Sequence, residues 1–481
     1  MNRSKALRDA AAAEPLPAST FAVLVCGLGL YLGWQTVGIS PTLFPQPLSA
    51  SASVLEPANY AQTALFLILL MVFAQVAKRR GSLLSCRPLV VGAPLAVCAS
   101  TVCAYACGWV LDAPLGAAAG VVLEGSKAAL LLVWAECLCR VRFRDTLLCV
   151  ALVYVVAFAL CLLVAGLEPM AALIVHAVFP LLSGVALLVL RSDDALASVE
   201  DARPREARTL ARLPLRLFVG VGLFGAINLL TNSLSEAKSS ATAELNTLLA
   251  GLAVSALIAL FARSRGEKSD FMLLYRMLTP LIILSIIPVL TLESGNQHYE
   301  AYVIGAGWTF FRIFTWTLWC SIALRSHAPA ACVFAAGQFA LTACSTLAQV
   351  LYDGVLHTAD VPLPVMISGV IALAVVTSAF VMSEGDIRRF FERRKTTKRL
   401  ADDEGASAQC ARSAAREFGL SKREEEIAVL VAQEKNNVVI QERLCITEST
   451  LRTHLRNMYA KMFVHSRQEL ADALRAYLEE E

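Results

Sequence analysis

About twelve apolar blocks, each roughly 17–23 residues long, fill most of this 481-residue chain and decide what it can become. A helix of that length crosses the ~30 Å hydrocarbon layer of a bilayer, and it satisfies its backbone polar groups without water. The blocks are 20–39, 60–77, 88–108, 117–139, 146–167, 171–190, 217–234, 246–262, 277–293, 302–323, 330–352 and 363–382. With 57% hydrophobic and 17% charged residues, the chain is too apolar for a soluble multidomain protein. The first block follows a polar leader, residues 1–19, and no small-residue cleavage site leads from it into soluble sequence. It therefore reads as a span, not a cleavable signal. The expected fold class is all-α: a polytopic bundle of two six-helix halves, 20–190 and 217–382, joined by a connector at 191–216, with a small helical domain at the C-terminus.

The positive charge is segregated by loop. One alternate set carries Lys78, Arg79, Arg80 and Arg87; Arg140, Arg142 and Arg144; Arg203, Arg205, Arg208, Arg212 and Arg216; Arg263, Arg265 and Lys268; and Arg325. The other set, 40–59, 109–116, 168–170, 235–245, 294–301 and 353–362, carries only Lys238. The positive-inside bias places both termini in the cytoplasm and the protein in the cell membrane as a multi-pass chain. Most of the 14 cysteines, among them Cys98, Cys103, Cys137, Cys139, Cys149 and Cys161, lie inside spans and read as small packing residues, not as a disulfide framework or a metal site.

An internal repeat underlies the spans. Superposing Arg140 on Arg325 fixes an offset of 185, which also lays Trp134 on Trp319, Lys127 on Arg312 and Gly120 on Gly305. The same offset lays Lys78, Arg80 and Gly81 on Arg263, Arg265 and Gly266. Two parallel halves with basic, Gly-containing loops after spans two and eight (KRRG and RSRG) make residues 20–382 resemble the major facilitator architecture. That resemblance implies a ligand site near the midplane between the halves. The acidic residue of the family's loop motif is absent here.

Three charges fall mid-span: Glu124, Lys127 and Arg312. Each costs roughly 2.5–3.5 kcal/mol at the bilayer centre on insertion scales. Glu124 and Lys127 are three apart and can neutralise each other on one helix face. Arg312 has no acid in its own span, so it must reach Glu124 or Glu136, or face water or a ligand. Trp308, Arg312, Trp316 and Trp319 follow one helical stripe, and Trp134 holds the matching place on span four. A cation amid indoles suits an anionic, planar guest. The other reading is an ion-pair clamp between the halves, with tryptophans as packing. Asn228, with Asn232 one turn on, is a candidate cavity wall or a helix–helix hydrogen bond.

Residues 383–415 form a basic juxtamembrane segment, which includes GDIRRFFERRKTTKRL, and a polar linker; the cations suit contact with anionic lipid headgroups. From about 416 to 481 the patterning is that of a small helical domain. Ser421 opens LSKREEEIAVLVAQ, NVVIQERL is a short second helix, and Thr447 caps a third in which Leu451, Leu455, Met458 and Met462 form the buried stripe. Ser466 caps a fourth. The opposite face of the third helix shows Arg452, Thr453, Arg456, Asn457 and Lys461. The run from Leu420 to Arg467, with N-x2-I-x3-L-x-I-T-E-S-T-L-R-T-H-L-R-N-M-Y-A-K-M at its centre, resembles the LuxR/NarL-type DNA-binding domain, with the helix-turn-helix at about 437–456. The resemblance implies a third helix in the major groove of double-stranded DNA, with the protein as a homodimer on paired half-sites. By position, Arg452, Thr453 and Arg456 would meet base edges, while Thr450, His454, Asn457 and Lys461 would hold phosphates or position the helix. Glu434, Gln441, Val438 and Val439 depart from the family's pattern.

The sequence carries no nucleotide loop, metal quartet, nucleophile motif, receiver or kinase signature, so no enzymatic activity, cofactor or metal is expected. The whole resembles membrane-anchored LuxR-type regulators with a transporter-like sensor for a small molecule. The alternatives are a transporter whose tail regulates its own synthesis, and a set of spans that only anchor the tail.

Overall fold

The computed structural model describes residues 16–37, 57–107, 113–142, 145–193, 215–235, 241–265, 271–291, 297–326, 328–356, 361–381, 413–415, 417–432 and 437–476. Among these every regular element is a helix. Arg144, Arg203, Arg205, Arg208, Arg212, Lys238, Lys268, Glu434 and the basic run 385–400 lie outside the described residues, as do the side chains of Arg325 and Val438. The chain divides into two compact units, Ala6–Ile387 and one that includes Arg388–Glu481.

Among the described residues twelve helices build the first unit: α1 (Ala18–Val37), α2 (Pro57–Arg80), α3 (Arg87–Cys107), α4 (Ala113–Leu138), α5 (Thr146–Ala165), α6 (Pro169–Arg191), α7 (Leu215–Leu234), α8 (Ala241–Arg265), α9 (Phe271–Thr291), α10 (Gln297–Ser326), α11 (Ala330–Leu351) and α12 (Leu363–Val376). α11 and α12 each run on into a π-helical turn, Tyr352–Leu356 and Thr377–Val381. Eight stretches among the described helices are long and apolar enough to cross a membrane. Shorter apolar stretches occupy α3, α9 and α12, while α10 has the length but carries polar and charged side chains. Side chains such as Ile174, Leu257 and Leu260 are exposed on the outside of this bundle, where a soluble protein would carry charge. The protein is a multi-pass membrane protein.

The internal repeat is visible in the packing. α1 packs on α4, α5 and α6, α4 on α2 and α3, and α3 on α6; adding six to each label gives α7 on α10, α11 and α12, α10 on α8 and α9, and α9 on α12, all of which also pack. Contacts between the halves obey the same exchange: α2 meets α11 as α8 meets α5, and α4 meets α11 as α10 meets α5. The offset of 185 holds at side-chain level. Trp134 and Trp319 are both fully buried, and the buried stripe Phe66, Leu70, Ala74 and Ala77 of α2 maps onto Gly251, Ser255, Ala259 and Ala262 of α8, all buried.

Small residues let these helices approach. A Cβ on Gly27 of α1 would stand 2.5 Å from the Trp134 ring, so only glycine admits the indole there. At the α5–α8 seam the Phe158 ring occupies the space a Gly251 side chain would need, again 2.5 Å away.

The described residues of the second unit include the helices α13 (Lys422–Ala432), α14 (Asn437–Leu444), α15 (Glu448–Met462) and α16 (Arg467–Ala476). Ile427, Val431, Ile440, Leu451, Leu455, Met458, Met462, Leu470 and Leu474 meet in one core.

Candidate DNA-binding and ligand sites

Capping sets the helix starts of the C-terminal unit. Thr447 Oγ1 accepts from the Thr450 N–H at the start of α15. Ser421 and Glu424 cap α13 reciprocally, each side chain accepting from the other's backbone N–H. Ser466 and Glu469 begin α16, with Ser466 Oγ accepting from Glu469 N and the Glu469 carboxylate from His465 N. α15 ends at Phe463, a residue in the left-handed conformation (φ 56°) whose side chain is 84% exposed. α15 turns its stripe of Leu451, Leu455, Met458 and Met462 inward, which forces the intervening positions outward. Thr450, Arg452, Thr453, Arg456 and Asn457 are exposed, and His454 is half-buried.

On that face Arg452 Nη2 donates to Glu448 Oε1 at 2.6 Å, both side chains remaining mostly exposed, and Thr453 Oγ1 donates to Ser449 O. Lys461, expected to hold a phosphate or position the helix, reaches α13. Its Nζ donates to Glu424 Oε2 at 2.7 Å and to Gly419 O at 3.2 Å, tying the end of α15 to the start of α13. Burial of Glu424 works against its charge, but the bonds from Lys461 and Ser421 outweigh it and hold the carboxyl below the ordinary carboxylate range. The ion pair is therefore a structural tie.

Replacing Lys461 by Ala should cost the C-terminal unit about 2 kcal/mol near neutral pH, the range of a hydrogen bond to a charged group. Because the folded Glu424 value is depressed, its stabilisation is present above the unfolded value and fades as pH falls through the folded one. Wild type and K461A should thus melt apart at pH 7 and converge as the pH drops below the ordinary glutamate range. A pH series of thermal melts checks this; a constant gap down to the acid end would sink it.

In the membrane unit the three intramembrane charges separate into two arrangements. Lys127 Nζ pairs with Glu124 at 2.8 Å within α4 and stands 4.9 Å from the Phe66 ring centroid, while Tyr31 donates to the Lys127 carbonyl. Arg312 of α10 lies over Tyr154 of α5, its guanidinium carbon 5.1 Å from the ring centroid. It thus crosses to the other half, but onto an aromatic face. Among the described residues no carboxylate pairs with it.

Glu136, the other acid Arg312 might have reached, is taken up elsewhere: it accepts from Ser82 Oγ and from the N–H groups of Leu83 and Leu84. This brace escaped the sequence reading, because nothing in the spacing links position 136 to the turn after α2. Trp308 stacks on Phe311, with 5.7 Å between centroids, and Trp316 meets Phe334 edge-on at 5.2 Å. Trp134 is fully buried inside the first half, donating to Ser183 Oγ, which donates in turn to Gly27 O. Asn228 bonds its own helix at Phe224 O. The structure brings Arg312 together with Tyr154, and Glu124 with Lys127, while the polar atoms of Trp134 and Asn228 bond to Ser183 and to Phe224 O.

Residues 419–474 match the family model described as bacterial regulatory proteins, luxR family. The C-terminal unit is a LuxR-type helix-turn-helix DNA-binding domain. No curated protein matches the chain. Two solved structures that match the chain are FucP, a Major Facilitator Superfamily transporter in the outward conformation, and a single-substitution variant of the E. coli fucose:proton symporter FucP. The first shares 10% identity at TM-score 0.48, covering 74% of this chain and 98% of that one. The second shares 11% at TM-score 0.47, covering 75% and 99%.

Proposed function

We propose that the protein is a one-component transcription regulator in the cell membrane, with both termini cytoplasmic, whose twelve helices sense a small molecule and whose C-terminal domain binds promoter DNA as a homodimer. The DNA-binding half of this reading rests on the LuxR-type domain and its exposed face of Arg452, Thr453 and Arg456. The sensing half rests on one observation: Arg312 spans the seam between the halves on the face of Tyr154, and among the described residues no carboxylate pairs with it. An unneutralised cation within a span is costly and favours an anionic partner. An anionic, planar ligand would pair with the guanidinium and lie near the Trp308–Phe311 stack. If such a ligand prefers one packing of the halves, its binding shifts their equilibrium, and that shift is the signal passed to the tail.

The test is a reporter fused to a promoter that the protein occupies, with occupancy measured in parallel. Arg312→Ala should abolish the response to inducing conditions while occupancy by the full chain persists in at least one state. Unchanged inducibility would reduce the spans to an anchor. The exchange symmetry of contacts across both seams also favours a second reading, transport with an autoregulatory tail. Ligand flux in proteoliposomes that Arg312→Ala abolishes would select it.

A further inference from the structure

The two seams between the halves are equivalent under the internal repeat, yet one is closed and the other open. At the α5–α8 seam, Phe158 fills the space over Gly251, and Ser255, Ala259 and Ala262 allow close packing. Tyr154 there is 1% exposed. Its repeat equivalent at the α2–α11 seam, Phe339, is 41% exposed and forms one wall of a groove of about 530 Å³. The other wall is α2: Leu67, Ile68, Met71, Val72, Gln75 and Val76, with Arg79 at the end. From Leu67 to Arg79 a helix rises roughly 18 Å, close to the ~15 Å depth of one hydrocarbon leaflet. The groove is thus apolar for one leaflet's depth and cationic at the basic end of α2. The position equivalent to Arg79 on α8 is Ser264, so the cation that lines the open groove has no counterpart at its own position in the closed seam.

We propose that this groove is a binding site for an anionic glycerophospholipid, with one acyl chain lying between α2 and Phe339 and the phosphate at the Arg79 guanidinium. Charge complementarity selects the headgroup, and the length and apolarity of the wall select the chain. The site touches both halves, so a lipid seated there stabilises the packing of α2 on α11 that forms the groove.

Native mass spectrometry of the purified full chain in detergent tests this, with phosphatidylglycerol or phosphatidylcholine of identical acyl chains added. Wild type should retain one phosphatidylglycerol at about tenfold lower lipid concentration than phosphatidylcholine. Arg79→Gln should remove that preference, and Arg79→Lys should keep most of it. Arg87→Gln, which deletes a cation outside the groove, should leave it intact. Met71→Trp, which fills the groove from an exposed membrane-facing position, should lose the retained lipid of either kind. The proposal is overturned if Arg79→Gln keeps the preference, if Arg87→Gln loses it as fully, or if Met71→Trp binds as wild type does.

Discussion

Arg452→Ala should weaken promoter binding by roughly 5- to 150-fold at fixed salt, the ~1–3 kcal/mol of a bidentate base contact, while leaving the domain folded. The fold should survive because the Arg452 side chain is 77% exposed and its partner Glu448 is exposed too. Such an i,i+4 pair is worth only ~0.3–0.5 kcal/mol, so the guanidinium can exchange Glu448 for a base edge at little cost. The loss should fall unevenly across operator sequences, greatest where the contacted base is guanine. A phosphate-directed cation would instead lower affinity uniformly and flatten the salt dependence. In cells, chromatin immunoprecipitation of the tagged full chain should show sharp promoter peaks that vanish in the variant. Equal affinity of variant and wild type on the operators beneath those peaks would remove Arg452 from the base-reading set. Absence of peaks for the wild type, with the protein present under several growth conditions, would count against regulation itself.

How much of this was legible beforehand depended on whether the constraint was local. Helices stand among the described residues where the apolar blocks lie, because each must satisfy its own backbone in hydrocarbon, and eight hold stretches long and apolar enough to cross a membrane; α5, read as 146–167, runs Thr146–Ala165. The stripe on α15 and the caps at Ser421, Thr447 and Ser466 are likewise local, and all stand where periodicity and capping chemistry put them. Contacts between distant segments were not legible. The charge of Lys461 is visible in sequence, whereas its partner Glu424, 37 residues earlier, is reached only through the fold. Trp134 shares a register with Trp319, and both are buried, yet the indole of Trp134 serves the packing of α1 and α6. Arg312 reads as a charge needing a partner, and the aromatic face it meets on another helix is one that charge counting does not find. The open α2–α11 seam was invisible for the same reason: a repeat in sequence shows what the halves share, and the groove lies in what they do not.

The largest effect expected in the membrane unit is from Glu136. Its carboxylate receives Ser82 Oγ at 2.8 Å, Leu83 N at 2.9 Å and Leu84 N at 3.2 Å. The turn needs these acceptors. α2 closes at Gly81 in a left-handed conformation (φ 92°), its N–H donating to Ala77 O, and the chain then folds Leu83 and Leu84 inward until both are buried. The N–H groups of those two residues therefore meet Glu136 instead of water. Glu136→Leu would leave three buried donors unmatched at about 1–3 kcal/mol each, so a loss on the order of 5 kcal/mol is expected. Glu136→Gln keeps the shape and one acceptor oxygen and should fall between the two. The repeat equivalent, Ser321, bonds to Thr317 O within its own helix and, among the described residues, to nothing else, so Ser321→Ala should be nearly silent. Thermal unfolding of the purified chain in one detergent should rank the four proteins in that order, wild type and S321A together, E136Q below, E136L far below. An E136L chain that melts with wild type would mean that the turn finds other acceptors. In that case the α2–α3 connection, next to the basic end of α2, would not be held by α4 as the structure has it.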